Sequence, residues 1–326
     1  MFEYCDARLQ SWGTPIPACL ATSRQGRRKP SKGGGGFASQ PNENDKPSGK
    51  RIYSMPALYD LAFGYRNYEE EVSFLIGQYQ ELNEGKSPSR VLELAAGPAR
   101  HSIHALQSSQ VKAATALDNS QEMVEYGHTI AQEELDVDSF DNFAYIKEDM
   151  SNFELLGETF DSAWILLGSL QHLTTNTEVI SCFKSINKVL SPGGTLILEL
   201  PHPRETFTMV ECTKNGWEVP LEDESGEDTG ELEIVWGDDN DEFDEIKQVR
   251  QFTVAMELKG VENADPNLQS VREVVPMRLF TTQEIDALAL IAGFKVVSLH
   301  GALCEGVEVN DEDQAFRLVC VLQKEL

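Results

Sequence analysis

No run of about eighteen apolar residues occurs in the 326-residue chain, although 40% of it is hydrophobic, so no segment reads as a bilayer-spanning helix. Cysteine is sparse. The six present, Cys5, Cys19, Cys182, Cys212, Cys304 and Cys320, form no C-x-x-C pair, which argues against a zinc site or a disulfide framework and for a reducing compartment. Basic residues are scarce too: 27 Lys and Arg stand against 54 Asp and Glu, a net charge of −27. Residues 1–52 hold nine of those 27 basic groups and only four of the 54 acidic ones, so the remainder is more acidic still. Such a body repels phosphate backbones, which argues against a nucleic-acid substrate. A neutral or cationic small molecule suits it better, although acidity that merely keeps the protein soluble is also consistent.

Residues 1–50 contain a glycine run at 33–36, scattered Ser and Pro, and basic residues at Arg8, Arg24, Arg27, Arg28, Lys29 and Lys32, with no apolar period. Disorder is expected there. A basic, Ser-containing leader fits an organellar transit peptide, chloroplast or mitochondrial, or else an ordinary tail on a cytoplasmic protein, and Glu3 and Asp6 count against targeting. From Tyr53 aromatics and helix formers take over, including a helix at 68–82. Apolar runs at 91–94, 113–117, 143–146, 160–167 and 195–200 then alternate with helical patterns at 101–106, 121–134 and 178–190. That rhythm predicts βαβ units and an α/β, Rossmann-like, doubly wound sheet, mostly parallel.

Residues 201–280 break the rhythm. The stretch 218–245 is acidic without a single Lys or Arg, and β-like alternation follows at 246–258 and 270–280. An antiparallel β insertion is expected, placed to roof the crevice at the strands' carboxyl ends, with a solvated loop as the other reading of its acidic part. Thr281-x-x-Glu284 is a capping box, and Gly293 stands where a C-terminal cap belongs. Strands at 294–300 and 315–323 follow with only a loop between them, which predicts an antiparallel hairpin at the end of the sheet. The expected units are a leader at 1–50, a core with an N-terminal lid at 51–200, a cap at 201–280, and 281–326 completing the core.

The segment 91–101, Val-Leu-Glu-Leu-Ala-Ala-Gly-Pro-Ala-Arg-His, joins the first strand to the first helix through small residues, so a ligand can approach the backbone at Ala95, Gly97 and Ala99. A helix N-terminus favours anions there. One glycine is present where the dinucleotide fingerprint has three. Asp118 ends the second strand about twenty residues on, a position where a carboxylate accepts ribose hydroxyls in nicotinamide enzymes as well. Asp149 beside Met150 at the end of the third strand suits adenine.

The ordered set Glu93-x-Ala95-x-Gly97-Pro98-Ala99, Asp118-x-Ser-x-x-Met123, Asp149-Met150, Phe160-Asp161 with Leu167, Ser191-Pro-Gly-Gly194 and the antiparallel ending resembles the class I S-adenosylmethionine-dependent methyltransferases over roughly residues 53–326. The resemblance implies S-adenosyl-L-methionine as cofactor. Glu93 and the backbone at 95–99 would hold its methionine portion, Asp118 with the adjoining Asn119 its ribose, and Met123, Asp149 and Met150 its adenine. Tyr59 and Tyr68 resemble lid tyrosines at the sulfonium end, with Leu167 nearby, or else they are core aromatics; Arg66 is a candidate for the cofactor carboxylate. Ala95 and Ala99 depart from the family's glycines, and Pro98 stiffens the loop.

His172, after the fourth strand, is placed to act as general base toward a hydroxyl acceptor, or it hydrogen-bonds a neighbouring loop; His202 carries the same two readings. Methyl transfer needs little more than alignment, so no triad or metal is demanded, and an amine acceptor needs only its neutral form. The expected function is methylation of a small-molecule acceptor on nitrogen or oxygen, with no nucleic-acid or membrane partner. Two alternatives stand beside it: a methyltransferase-like binding module without turnover, and a NAD(P)-dependent oxidoreductase.

Overall fold

The computed structural model describes residues 51–204, 215–222, 228–261 and 269–325; the expected leader lies outside them. The chain enters through a 3-10 turn, Ile52–Ser54, and helix α1, Pro56–Phe63, whose Pro56 at the first position suits a helix start. Helix α2, Tyr68–Leu82, is capped by the Asn67 side chain. The alternating segment follows as β1 (Arg90–Leu94), α3 (Arg100–Gln107), β2 (Ala113–Asp118), α4 (Gln121–Glu134), a single turn α5 (Val137–Phe140), β3 (Phe143–Lys147), β4 (Phe160–Ile165), a 3-10 turn (Ser169–His172), α6 (Asn176–Val189) and β5 (Leu190–Pro201). The α6 helix starts two residues ahead of the expected position, because Thr175 and Glu178 form a reciprocal capping box.

The insertion supplies β6 (Asn215–Glu222), β7 (Asp228–Trp236), β8 (Phe243–Asp244), β9 (Val249–Lys259) and β10 (Val271–Arg278). Helix α7 (Thr282–Ile291) opens on the expected Thr281–Glu284 capping box, and Gly293 follows it at φ +79°. Strands β11 (Phe294–His300) and β12 (Arg317–Lys324) close the described chain as the expected antiparallel hairpin.

Seven strands form one sheet in the order β11-β12-β5-β4-β1-β2-β3. Pairings from β3 through β5 are parallel, while β12 runs antiparallel to both β5 and β11. The chain moves outward from β1 to β3 and then returns to β1's other edge with β4, so the crevice at the strands' carboxyl ends opens there. Both faces are covered: Leu92, Leu117, Phe160 and Phe183 pack on one side and Val91, Ile103, Trp164 and Ile197 on the other.

Within the acidic stretch, residues 218–222, 228–236 and 243–244 are strand, and apolar and acidic residues alternate over 231–234. Leu232 and Ile234 on β7 are buried with Phe252, Val254 and Met256 of β9, while Glu231 and Glu233 alternate with them. The sheet is antiparallel throughout, in the order β10-β9-β7-β6 with β8 on β9. Its apolar face packs on Ile52, Met55, Leu58, Ala62 and Phe63, so the N-terminal lid and the insertion share one core. On the other face Glu218, Glu233 and Glu257 stand in register across three strands, and Lys259 offsets part of that repulsion by pairing with Glu233. No helix among the described residues is long and apolar enough to cross a membrane.

Leu232 is fully buried at the centre of this shared core. Leu232→Ala is expected to cost about 2–5 kcal/mol of unfolding free energy in a urea titration; an unchanged midpoint would show that the acidic strand is not packed.

Candidate active site

The turn after β1 is built on backbone hand. Ala95, Gly97 and Ala99 have φ of 50°, 55° and 58°, a region that costs an alanine roughly 1–2 kcal/mol. Small size, the property noticed in the sequence, is therefore only half of what these positions require. The shape is held by Ala96 N donating to Leu117 O at 3.0 Å, Ala99 N to Ala96 O at 2.8 Å and Gly97 N to Asp118 Oδ2 at 2.9 Å. The Tyr145 hydroxyl donates to Gly97 O. Tyr145 reaches it past Gly127, where a Cβ would stand 2.5 Å from the tyrosine ring.

Asp118 also accepts Ser120 N through Oδ1 at 2.9 Å. Burial pushes its carboxyl above the ordinary value, and the backbone donors of Ser120, Gly97 and Asn119 oppose that rise. Asn119 itself is exposed. Met123 is buried, with its sulfur 4.0 Å from the Cβ position of Gly97. Asp149 is exposed at the end of β3 and accepts Ser151 N at 2.8 Å, whereas Met150 packs inward with Leu92 and Leu117.

Glu93 is buried and accepts both Ser102 N, at 2.9 Å, and Ser102 Oγ, at 2.6 Å, which anchors the start of α3. It also faces His101 Nδ1 at 3.4 Å, while His101 Nε2 meets Glu71 at 2.8 Å. Burial opposes charge on His101, but the two carboxylates outweigh it and push the imidazole up to about 9. Glu71 in turn holds Arg66 Nε at 3.0 Å, and Arg66 Nη2 donates to both oxygens of Glu199 at 3.1 and 3.0 Å.

Glu199 is the functional residue that the sequence reading missed. Its signal is a carboxylate inside the apolar run 196–200. It is 2% exposed, accepts Leu167 N at 2.8 Å and lies 3.4 Å from Arg317 Nε. Burial would raise its pKa, yet Arg66 and Arg317 hold it below the ordinary value. The contact fixes Leu167 at φ 55°, the bend that ends β4.

The lid lies across this turn. Tyr59 Cε1 comes within 3.7 Å of the Gly97 Cβ position, and its ring packs on Phe63 at 4.6 Å. Tyr68 donates to Phe63 O at 3.3 Å and packs edge-on to His101. Asp60 clamps α1 to the core through Arg100, at 2.9 and 2.5 Å, and the Tyr126 hydroxyl, at 3.0 Å. The cleft beneath, bounded by Tyr59, Tyr68, Leu167 and the 95–99 turn, measures about 10 Å³, room for one water.

His172 Nε2 lies 2.9 Å from the Tyr53 hydroxyl, and the two rings meet edge-on. Burial lowers its pKa to about 4, so the ring is neutral, and burial raises that of Tyr53. His202 instead clamps loops: Nε2 meets Val309 O at 2.9 Å and Nδ1 accepts Arg204 N at 3.1 Å.

Residues 91–194, from β1 into β5, match the methyltransferase domain family. A putative methyltransferase of Bacillus subtilis, YqeM, is 26% identical over 229 residues, covering 66% of this chain and 86% of its own. Among solved structures, an S-adenosylmethionine-dependent methyltransferase from Clostridium acetobutylicum aligns with a TM-score of 0.63 at 15% identity, covering 83% of this chain and 97% of that one. The sugar N-methyltransferase KedS8 from Streptoalloteichus aligns at 0.61 and 16% identity, covering 90% and 100%. Residues 91–194 therefore carry a methyltransferase domain, the chain has the fold of S-adenosylmethionine-dependent methyltransferases, and S-adenosylmethionine is the cofactor. The nicotinamide alternative is thereby set aside.

The donor set suits that cofactor: a buried carboxylate for vicinal hydroxyls, a left-handed small-residue turn for close backbone approach, and a sulfur and aromatic edges around it. The paired charges also set a pH limit. Because its folded pKa is raised, His101 contributes stability that is full below its unfolded value of about 6.5 and lost as pH rises through about 9. Melting temperature is expected to fall across that window, and His101→Gln is expected to flatten the fall; identical slopes in both proteins would remove His101 from the balance.

Proposed function

We propose that this chain moves the cofactor's methyl group to a small-molecule acceptor lying between the 95–99 turn and the antiparallel sheet. The observation that carries the reading is Asp118, buried and locked to the Gly97 amide, with the neutral Tyr53–His172 pair at the other edge of the same crevice. In this reading Glu93 and the turn at Ala95 and Gly97 serve the methionine portion, Asp118 and Asn119 the ribose, and Met123, Asp149 and Met150 the adenine. Tyr59, Tyr68 and Leu167 border the sulfonium end. Residues 51–200 form the cofactor-binding core with its lid, 201–280 the acceptor cap, and 281–326 the completion of the sheet.

When bound, the cofactor supplies a methyl group already activated on sulfonium. What this chain must add is placement, and alignment of two reactants is worth roughly 7–11 kcal/mol in favourable cases. The shared core of lid and cap excludes water from the crevice. His172, neutral and hydrogen-bonded to Tyr53, serves to place the acceptor rather than to ionise it, since an imidazole whose pKa is held near 4 is a weak base. Two of the aligned structures are described as a sugar N-methyltransferase and an amino pentose methyltransferase, which supports a small polar acceptor.

Isothermal titration is expected to show S-adenosylmethionine binding, weakened about 10- to 100-fold by Asp118→Ala, the scale of a lost charged hydrogen bond; no binding by the unsubstituted protein sinks the reading. With an acceptor found by labelled-methyl screening of pooled metabolites, His172→Ala should raise KM and leave cofactor affinity unchanged. Unaltered KM and kcat would remove His172 from the site.

A further inference from the structure

The inner face of the cap sheet carries one carboxylate that nothing above explains. Glu273 on β10 pairs in register with Val254, two residues from Val271 and two from Val275, all of them on the buried face. It is half-buried, and its one hydrogen bond among the described residues is from Ile52 N to Oε2 at 2.9 Å. Among those residues no Lys or Arg pairs with it: Arg272 falls on the opposite face and Arg278 is held by Glu284 at 3.1 Å. A carboxylate partly withdrawn from water on an otherwise apolar face is ordinarily matched by a cation, and here none is seen among the described residues.

Its surroundings are those of the crevice. Tyr53, the residue after Ile52, bonds His172 through its hydroxyl, and its carbonyl accepts Ser120 Oγ at 2.8 Å, two residues beyond Asp118. The turn that carries His172 is tied to the same strand by Gln171 Nε2 donating to Arg278 O at 3.0 Å. Tyr53 is therefore a neighbour of both Asp118 and Glu273. The charge of Glu273 is near enough to add to the rise that burial imposes on the tyrosine.

We infer that Glu273 is the recognition group for an amine acceptor, facing the nitrogen as it takes the methyl group. This rests on the function proposed above and names its acceptor class. In such a transfer the lone pair of a neutral amine forms the N–C bond while the C–S bond breaks and its electron pair stays on sulfur. The positive charge passes from sulfur to nitrogen, and the surplus proton leaves afterwards to water. No base takes part in that step, whereas a hydroxyl acceptor needs one and His172 is a poor one. A fixed carboxylate opposite the nitrogen gains attraction as the charge arrives, which is where stabilisation speeds a reaction.

The bland role, capping the Ile52 turn, needs an acceptor oxygen but no charge. Glu273→Gln separates the two. The probes are S-adenosylhomocysteine, which has neither methyl nor charge at sulfur, and sinefungin, which carries an ammonium group where the methyl-sulfonium would be. By titration calorimetry on the full chain, sinefungin is expected to bind about tenfold tighter than S-adenosylhomocysteine, the scale of a charge-assisted contact. In Glu273→Gln that ratio should fall toward one, with S-adenosylhomocysteine affinity and melting temperature unchanged. Equal affinities in the unsubstituted protein, or a ratio that survives the substitution, overturns the inference. Loss of S-adenosylhomocysteine affinity or of stability in the variant assigns Glu273 to structure and overturns it as well. Failure of the unsubstituted protein to bind either nucleotide is a different result, since it removes the cofactor site itself.

Discussion

A carboxylate can sit in the middle of the central sheet at Glu199 only because guanidinium and amide groups meet it there. Arg66 reaches it from the connection between α1 and α2, Arg317 from β12 and the Leu167 amide from the bend after β4. Lid, parallel sheet and terminal hairpin are thus brought to one buried charge. From it a chain of alternating sign runs through Arg66, Glu71 and His101 to Glu93 at β1. Each member is tolerable in the interior because of its neighbours, so the chain behaves as a unit.

The second organising contact is apolar. Because α1 shares its core with the cap sheet rather than with the parallel sheet, the two parts that cover the crevice are packed to one another. Asp60 then attaches that assembly to α3 and α4 through Arg100 and Tyr126. The helix α1 and the strand that carries Glu273 are thus parts of one packed assembly.

Features with local signals were legible in the sequence: the strand and helix alternation, the Thr281–Glu284 capping box, Asp118 at a strand end, and a closing hairpin of two strands with only a loop between them. Distances that depend on folding were not. Tyr53 and His172 are 119 residues apart in the chain and meet at 2.9 Å; Arg66 and Glu199 are 133 apart. The acidic stretch at 218–245 left loop and strand both open, and alternate burial of Leu232 and Ile234 identifies its 228–236 part as strand. Ala95 and Ala99 were legible as small but not as left-handed, since backbone hand is imposed by the hydrogen bonds that Asp118, Leu117 and Tyr145 bring from elsewhere.

The antiparallel partner of β5 comes late. Leu198 pairs with Cys320, and the whole cap and α7 lie between them in the chain. During synthesis β5 leaves the ribosome well before β12, with one edge of backbone amides and carbonyls unpaired and most of its 196–200 side chains apolar. A strand in that condition is a template for pairing with a neighbouring chain. The nascent protein therefore has a window of vulnerability to aggregation set by the length of the segment inserted between β5 and β12.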